Sequence, residues 1–408
     1  MREERWPRRA RAAAALLLAA ATGCAGTDYG SAARDPLRMP DPAEVAERSG
    51  YLSRNYLRPA SAYREAVVAR IGELARQPMT EAAAVEVALL QDRGVRLLVN
   101  EYWGLRPSVV AAVAETAADD EDARPVEWKI LGQILARSTT DRWNQAFAEE
   151  YLDAAGMVLH TATTARRTYY EAVATAQLAA MYNRVLEANA AAAILANEQY
   201  RAGTTNRLDQ ARQHLAYAKT FKASVQARTE AVAKREALNR LLGLHGRGTA
   251  WALPDRLPDL PEERPVIEGV EAYAVEHGLE AHAGSAGPRQ LEVGATMRSE
   301  VREAYVRMLA AYDIARYQRD VILPLTQIIL EEMQLTYNAM LDDVYGLLDA
   351  TQGQIEAGQD YVATLAEFWA AAADLTHRLG GRLPEGTPGA GGAAAVVASG
   401  EAPPPSVH

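Results

Sequence analysis

Apolar residues recur at every seventh position over long stretches of this chain. Val158, Ala165, Ala172, Ala179, Leu186, Ala193 and Tyr200 keep the spacing without a break, and Ala211, Ala218, Val225 and Val232 resume it a few residues later. A sustained seven-residue period marks long helices that coil left-handedly and pack knobs into holes. The pattern predicts a helical arm over 139–201, roughly 95 Å long if continuous at 1.5 Å per residue, and a return arm over 208–242. Between them Gly203 offers the positive φ that stops a helix, and Thr204, Thr205 or Asn206 can cap the next one. Leu208 and Asp209 open the return arm. An acid there suits the helix dipole, so a plain helix-start role and a role at the tip both fit Asp209.

A second long pair follows. Val301, Met308, Ala315 and Ile322 repeat at seven on its outgoing arm, and Leu348, Ile355, Val362 and Trp369 on its return, with the turn near 337–348. Pro324 is expected to kink or unwind the outgoing arm, and Gly380-Gly381 to close the return. Upstream, 42–77 has helical patterning with Val45, Tyr56, Val67, Val68, Ile71 and Leu74 as buried positions. Thr80 and Glu81 read as the capped start of another helix, whose apolar face runs through Val85, Ala88, Leu89, Val95, Leu98 and Val99. Val126, Trp128 and Ile130 alternate with Glu127 and Lys129, the period of a strand. With Val109, Val110 and Val113 they predict a β-hairpin over about 108–135. Four prolines between Trp251 and Pro265 predict a strap crossing a surface, then a short helix over 266–277. The Pro- and Gly-rich 384–408 reads as a disordered tail.

Composition narrows the possibilities. Apolar residues make up 49% of the chain but aromatics only 7%, an alanine excess that suits closely packed helices. The net charge of -10 argues against a nucleic-acid partner. No run of 18 apolar residues exists to span a membrane as a helix, although the alternation of a membrane strand would escape such a scan. Arg5, Arg8, Arg9 and Arg11 precede the apolar run 12–21, and Ala21-Thr22-Gly23 completes a signal peptide over 1–23. The sole cysteine, Cys24, follows at once. That context resembles a bacterial lipobox, which implies cleavage before Cys24 and a lipid on its thiol; an ordinary signal peptide with an incidental cysteine is the alternative. Ala25 in place of aspartate implies, on the same resemblance, the outer membrane. One cysteine excludes a disulfide framework, and the seven histidines offer no ligand pair beyond the sequence neighbours His277 and His282. No HExxH, GxSxG, P-loop or GxGxxG occurs, so neither catalysis nor a cofactor or metal is expected.

The chain also repeats itself. Tyr200-Arg201-Ala202 matches Tyr337-Asn338-Ala339, Leu241-Leu242-Gly243 matches Arg378-Leu379-Gly380, and 166–170 matches 301–305. Leu208-Asp209 falls near Leu348-Asp349. With the motifs at 165–172, 200–209, 241–261 and 300–305, in this order and spacing, the chain resembles TolC-type outer-membrane efflux proteins, in particular the lipid-anchored heavy-metal and drug branch. The expected fold is mainly α: two repeated long antiparallel coiled-coil hairpins with a small, incomplete β-hairpin region. Domains divide as a tether with short helices (24–79), a first repeat (80–265, hairpin 139–243) and a shortened second repeat (266–383, hairpin 291–381).

The resemblance implies a homotrimeric exit duct without enzymatic activity, partnered by a periplasmic adaptor, an inner-membrane pump and outer-membrane lipid. It makes Gly203, Thr204, Thr205, Leu208, Asp209, Met340 and Leu348 the adaptor-docking tips. Asp342 and Asp343 fit either a ring of aperture carboxylates or a pair of solvated caps. Met340 stands where the first repeat has Gly203, so the tips are expected to differ in shape. One departure matters: the first repeat has 59 residues from Thr80 to Ser138 for its helix and strand pair, the second only 26 from Pro265 to Gln290. Two strands from each of three copies fall short of the ~8 of the smallest membrane barrels. A non-conducting periplasmic scaffold is therefore the alternative to a duct.

Overall fold

Alanine-rich heptads favour long helices, because alanine loses the least on entering a helix and lets neighbours approach closely. The computed structural model describes residues 60–74, 76–95, 126–127, 130–132, 148–245, 251–278, 288–341, 343–384 and 387. Among the described residues the short helices α1 (Ala60–Leu74), α2 (Glu81–Gln91) and α5 (Val270–His277), with the single turn Arg93–Val95, accompany two long hairpins. In the first, α3 (Ala148–Arg201) returns as α4 (Arg207–Leu241). In the second, α6 (Pro288–Tyr317) passes through a π-helical turn, Gln318–Ile322, into α7 (Leu323–Asn338) and returns as α8 (Val344–Arg378). α3 packs between α4 and α8, and α8 between α3 and α6–α7, so the long helices form one layer in the order α4, α3, α8, α6–α7. No strand occurs among the described residues.

Several expectations hold at the level of single residues. The Thr80 side chain accepts from the Ala83 amide at 3.2 Å, capping α2. The π turn sits immediately before Pro324, whose ring cannot share a turn with the carbonyl four residues back; the wider turn accommodates it. The strap is fastened to three helices. Leu257 donates its amide to Gln177 on α3, Trp369 on α8 donates Nε1 to the Pro258 carbonyl, and Tyr312 on α6 bonds the carbonyls of Pro261 and Glu262.

Other expectations are corrected. Val68 is exposed, because α1 buries only the face of Val67, Ile71 and Leu74, and Val68 lies about 100° away from it. Val126, Glu127, Ile130, Leu131 and Gly132 are helical, not extended. Glu127 explains the misreading: alternation sends it to solvent, yet it is 1% exposed and ion-paired to Arg166. The remaining residues of 108–135, like Cys24, the signal segment and nearly all of the tail, lie outside the described residues. The return-arm heptad is present, and its neighbour within the chain is not α3. Residues 211, 218, 225 and 232 do not face α3; they are exposed. The side of α4 against α3 carries polar contacts, Thr220 bonded to Asn189 at 2.7 Å and Ser224 to Asn183 at 2.9 Å, with Leu238 buried farther along.

The repeat extends beyond the hairpins. Arg166 on α3 pairs with Glu81 in the first turn of α2, and Arg302 on α6 pairs with Glu271 in the first turn of α5. Tyr169 donates to the Met79 carbonyl just before α2, and Tyr305 accepts from the Ile267 amide just before α5. These partners set the alignment of α3 on α6 at 136 residues, one more than the match of 166–170 with 301–305. At the turns the offset is 137, and the π turn absorbs the extra residue.

Candidate functional site

Both hairpins end in the same backbone device. After α3 the Gly203 amide donates to Tyr200 and the Thr204 amide to Gln199; after α7 the Met340 amide donates to Tyr337 and the Leu341 amide to Thr336. Each is a Schellman closure with a left-handed residue just past the helix. Gly203 has φ 74 and Met340 φ 56. The tips therefore share a backbone shape, against the expectation that they differ, and the second achieves it with a side chain that disfavours it. Met340 is the non-glycine residue with positive φ among those described. It is 93% exposed and Leu341 79% exposed, so neither contributes packing to the fold of one chain.

The turn residues divide by role. The Thr204 hydroxyl donates to the Gln199 carbonyl at 3.0 Å, and Asn206 caps α4 by accepting from the Asp209 amide at 2.9 Å. Asp209 itself accepts from Asn206 at 2.6 Å and pairs with Arg212 at 3.0 Å. Thr205 is half-buried and Leu208 exposed. In the second turn Asp343 caps α8, accepting from the amides of Tyr345 and Gly346 at 3.0 and 2.9 Å. Asp342 lies outside the described residues. Leu348 is half-buried and is not the counterpart of Leu208; the 137-residue offset places Tyr345 there.

Tyr345 joins the tips. Its hydroxyl donates to Gln199 Oε1 at 2.5 Å, bridging α8 to α3 beside both turns. Burial, with Asp343 and Asp209 adding, raises its pKa above the usual phenol value. Sequence reading missed this pair because its signal, a tyrosine at the position equivalent to Leu208, needs the structural alignment. The fold also brings together His160 and His377, with ring centroids 6.4 Å apart. Among the described residues no group of three or more His, Cys, Asp or Glu side chains is placed to hold a metal. No described helix is long and apolar enough to cross a membrane.

Away from the tips, the strongest electrostatic feature is Arg166, held between Glu81 at 2.5 Å and Glu127, with Tyr170 donating to Glu81 at 2.7 Å. Burial opposes the Arg166 charge, but the two carboxylates outweigh it and raise its pKa above the ordinary value. Burial and Glu81 likewise push Tyr170 up, so its hydroxyl stays a donor.

No protein-family model and no curated protein matches the chain by sequence. Solved structures match it in fold. A membrane protein from Pseudomonas aeruginosa aligns with a TM-score of 0.52 at 12% identity, over 75% of this chain and 91% of that one. The outer membrane protein VceC from Vibrio cholerae aligns at 0.49, with 12% identity and coverage of 73% and 95%. CusC, whose crystal structures address transmembrane channel formation, aligns at 0.47, with 16% identity and coverage of 74% and 95%. The first carries the fold assignment; the others fall below 0.5 and add nothing to it. The chain shares the fold of that Pseudomonas aeruginosa membrane protein.

Proposed function

We propose that this chain is the exit-duct component of a tripartite efflux or secretion system, working as a homotrimer held at the outer membrane with its helical tips in the periplasm. The observation that carries the reading is the state of the two outer helices of the layer. α4 leaves Leu208, Leu215, Val225 and Val232 between 46% and 62% exposed, and α6–α7 leaves Val306, Ile314, Tyr317, Leu325, Ile328 and Leu335 between 53% and 61% exposed. A layer with apolar stripes on both lateral edges is unfinished as a monomer. Copies set side by side cover both edges at once, and rotation closes them into a ring. The tips, Gly203 to Asp209 in the first hairpin and Met340, Leu341 and Asp343 in the second, then gather at one end as the surface that meets a periplasmic adaptor. The duct performs no chemistry; an inner-membrane pump drives transport. A lipid on Cys24 adds an anchor.

A second reading, a non-conducting periplasmic scaffold, is favoured by one dimension of the chain. Ten residues separate His277 from Pro288, while each membrane-spanning strand needs about 9–11. The second repeat therefore has no room for a spanning strand pair between its helices. Single-channel recording on the full chain in planar bilayers separates the two. Steady conductance by purified trimers supports the duct; trimers that bind lipid without conducting refute it and favour the scaffold.

A further inference from the structure

We propose that His160 and His377 form a two-histidine site for a divalent transition-metal cation of the zinc class, stapling the first hairpin to the second. His160 stands on α3 and His377 in the last turn of α8. The two are 217 positions apart, so the expectation of no metal, which rested on spacing along the chain, did not meet this pair. Their ring centroids lie 6.4 Å apart, the rings nearly edge-on. With metal–nitrogen bonds of about 2.0–2.1 Å, two imidazoles on one ion hold their centroids within roughly 6.3 Å. The pair therefore stands at the outer edge of that reach before any ion binds. His160 is exposed, and a small change of rotamer closes the difference.

The ring of His377 supplies the second argument. Its Nδ1 is buried and has no hydrogen-bond partner among the described residues, and a bound ion is one of the few explanations for such an atom. The Leu159 carbonyl on α3 accepts from the same ring. With Nδ1 unpartnered, the donor is Nε2–H, which leaves Nδ1 its lone pair. One ring nitrogen donating to a backbone carbonyl while the other stays open is the arrangement that orients metal-bound histidines. Burial lowers the pKa of His377, with His160 adding and the Leu159 carbonyl opposing. The ring is thus neutral at neutral pH, the form that ligates.

The surrounding charges leave the pair open to a cation. Asp374, one turn before His377, is held by Arg167 on α3 at 3.2 Å, and Arg378 pairs with Glu300. Each nearby guanidinium is answered by a carboxylate, and neither carboxylate is left over as a third ligand. Two imidazoles with water in the remaining positions suit zinc, copper or nickel, whereas calcium and magnesium take oxygen ligands. Because α3 belongs to the first hairpin and α8 to the second, an ion held by both rings ties the hairpins together near the end of α8 farthest from the tips.

Zinc alone is the probe, titrated by calorimetry into the full chain carrying no affinity tag. One equivalent per chain is expected to bind, and His160→Gln and His377→Gln are each expected to weaken binding by about tenfold or more. His160 is exposed, so its variant keeps the fold. A chain with His214→Gln, His245→Gln, His277→Gln, His282→Gln and His408→Gln is expected to bind as the parent does. Hydrogen exchange at the Gly381 amide, which donates to the Thr376 carbonyl at 2.8 Å across the end of α8, reads the staple. At zinc about tenfold above its dissociation constant that exchange should slow about tenfold in the parent and stay unchanged in His160→Gln. No binding at millimolar zinc, or binding that survives both single substitutions, overturns the site. Binding that needs both histidines but leaves exchange at Gly381 unchanged overturns the staple.

Discussion

Met340→Gly should stabilise the second tip. A left-handed conformation costs a side-chain-bearing residue about 1–2 kcal/mol, and the greater freedom of glycine in the unfolded chain returns about 0.4–1 kcal/mol of that gain. The Met340 side chain is 93% exposed, so its loss removes no packing. The net stabilisation is therefore about 0.5–1 kcal/mol, or roughly two- to fivefold in a local opening equilibrium. The Leu341 amide, which donates to Thr336 at 2.9 Å, reports it directly. Hydrogen exchange at that amide should slow two- to fivefold, a range within reach of site-resolved measurement. Gly203→Ala is the reciprocal change. A Cβ at Gly203 meets nothing within 4 Å, so only the backbone term acts, and exchange at the Thr204 amide should accelerate. If Met340→Gly leaves exchange unchanged or speeds it, or if Gly203→Ala is silent, the two tips do not share the left-handed closure. If the substitution steadies the tip but weakens adaptor binding, Met340 is retained for contact despite its strain.

Further outcomes follow from the clamps. Arg166→Met leaves Glu81 and Glu127 buried without their cation and should cost about 3–5 kcal/mol, read as a large drop in melting temperature; Arg302→Met, at the equivalent exposed pair, should leave it nearly unchanged. Trp369→Phe removes the bond to the Pro258 carbonyl at 3.1 Å, should cost about 1 kcal/mol, and should raise proteolytic cutting within 251–265. Side-chain hydrogen bonds from Arg264 and Arg302 hold the carboxyls of Asp313 and Glu271 below their ordinary 3.8 and 4.5. Lowered folded values mean that this stabilisation is complete above the ordinary pKa and is lost as pH falls through the lowered one. Both pairs are exposed and screened by solvent, so their share of the fall in melting temperature between about pH 5 and about pH 3 is small, and the Arg264→Gln, Arg302→Gln double variant should differ from the unsubstituted chain only slightly over that window.

Much of the architecture was legible because it is written locally. Heptads located the four arms, Gly203, Gly243 and Gly380 their ends, Thr80 a cap, and four prolines the strap. What escaped depends on partners distant in sequence. Val126 and Ile130 are two apart in a strand's alternation and one turn apart in a helix, so the pattern fits both. The residue that decides is Glu127, whose burial depends on Arg166, 39 positions on. The α4 heptad was visible, but periodicity names a stripe and not its neighbour, and the polar partners Asn183 and Asn189 claim the other side. At the tips Gly203 and the caps were readable. The Tyr345–Gln199 bridge was not, since it spans 146 positions and two hairpins. The equivalence of Met340 with Gly203 was visible; that both would adopt one backbone form required the coordinates.

The central claim is that one chain is a segment of a ring. Native mass measurement of the full chain, extracted from membranes in mild detergent, tests it most directly. The account predicts a single species of three copies that persists on dilution. A stable monomer, with the stripes of α4 and α6–α7 still open to solvent, would contradict it.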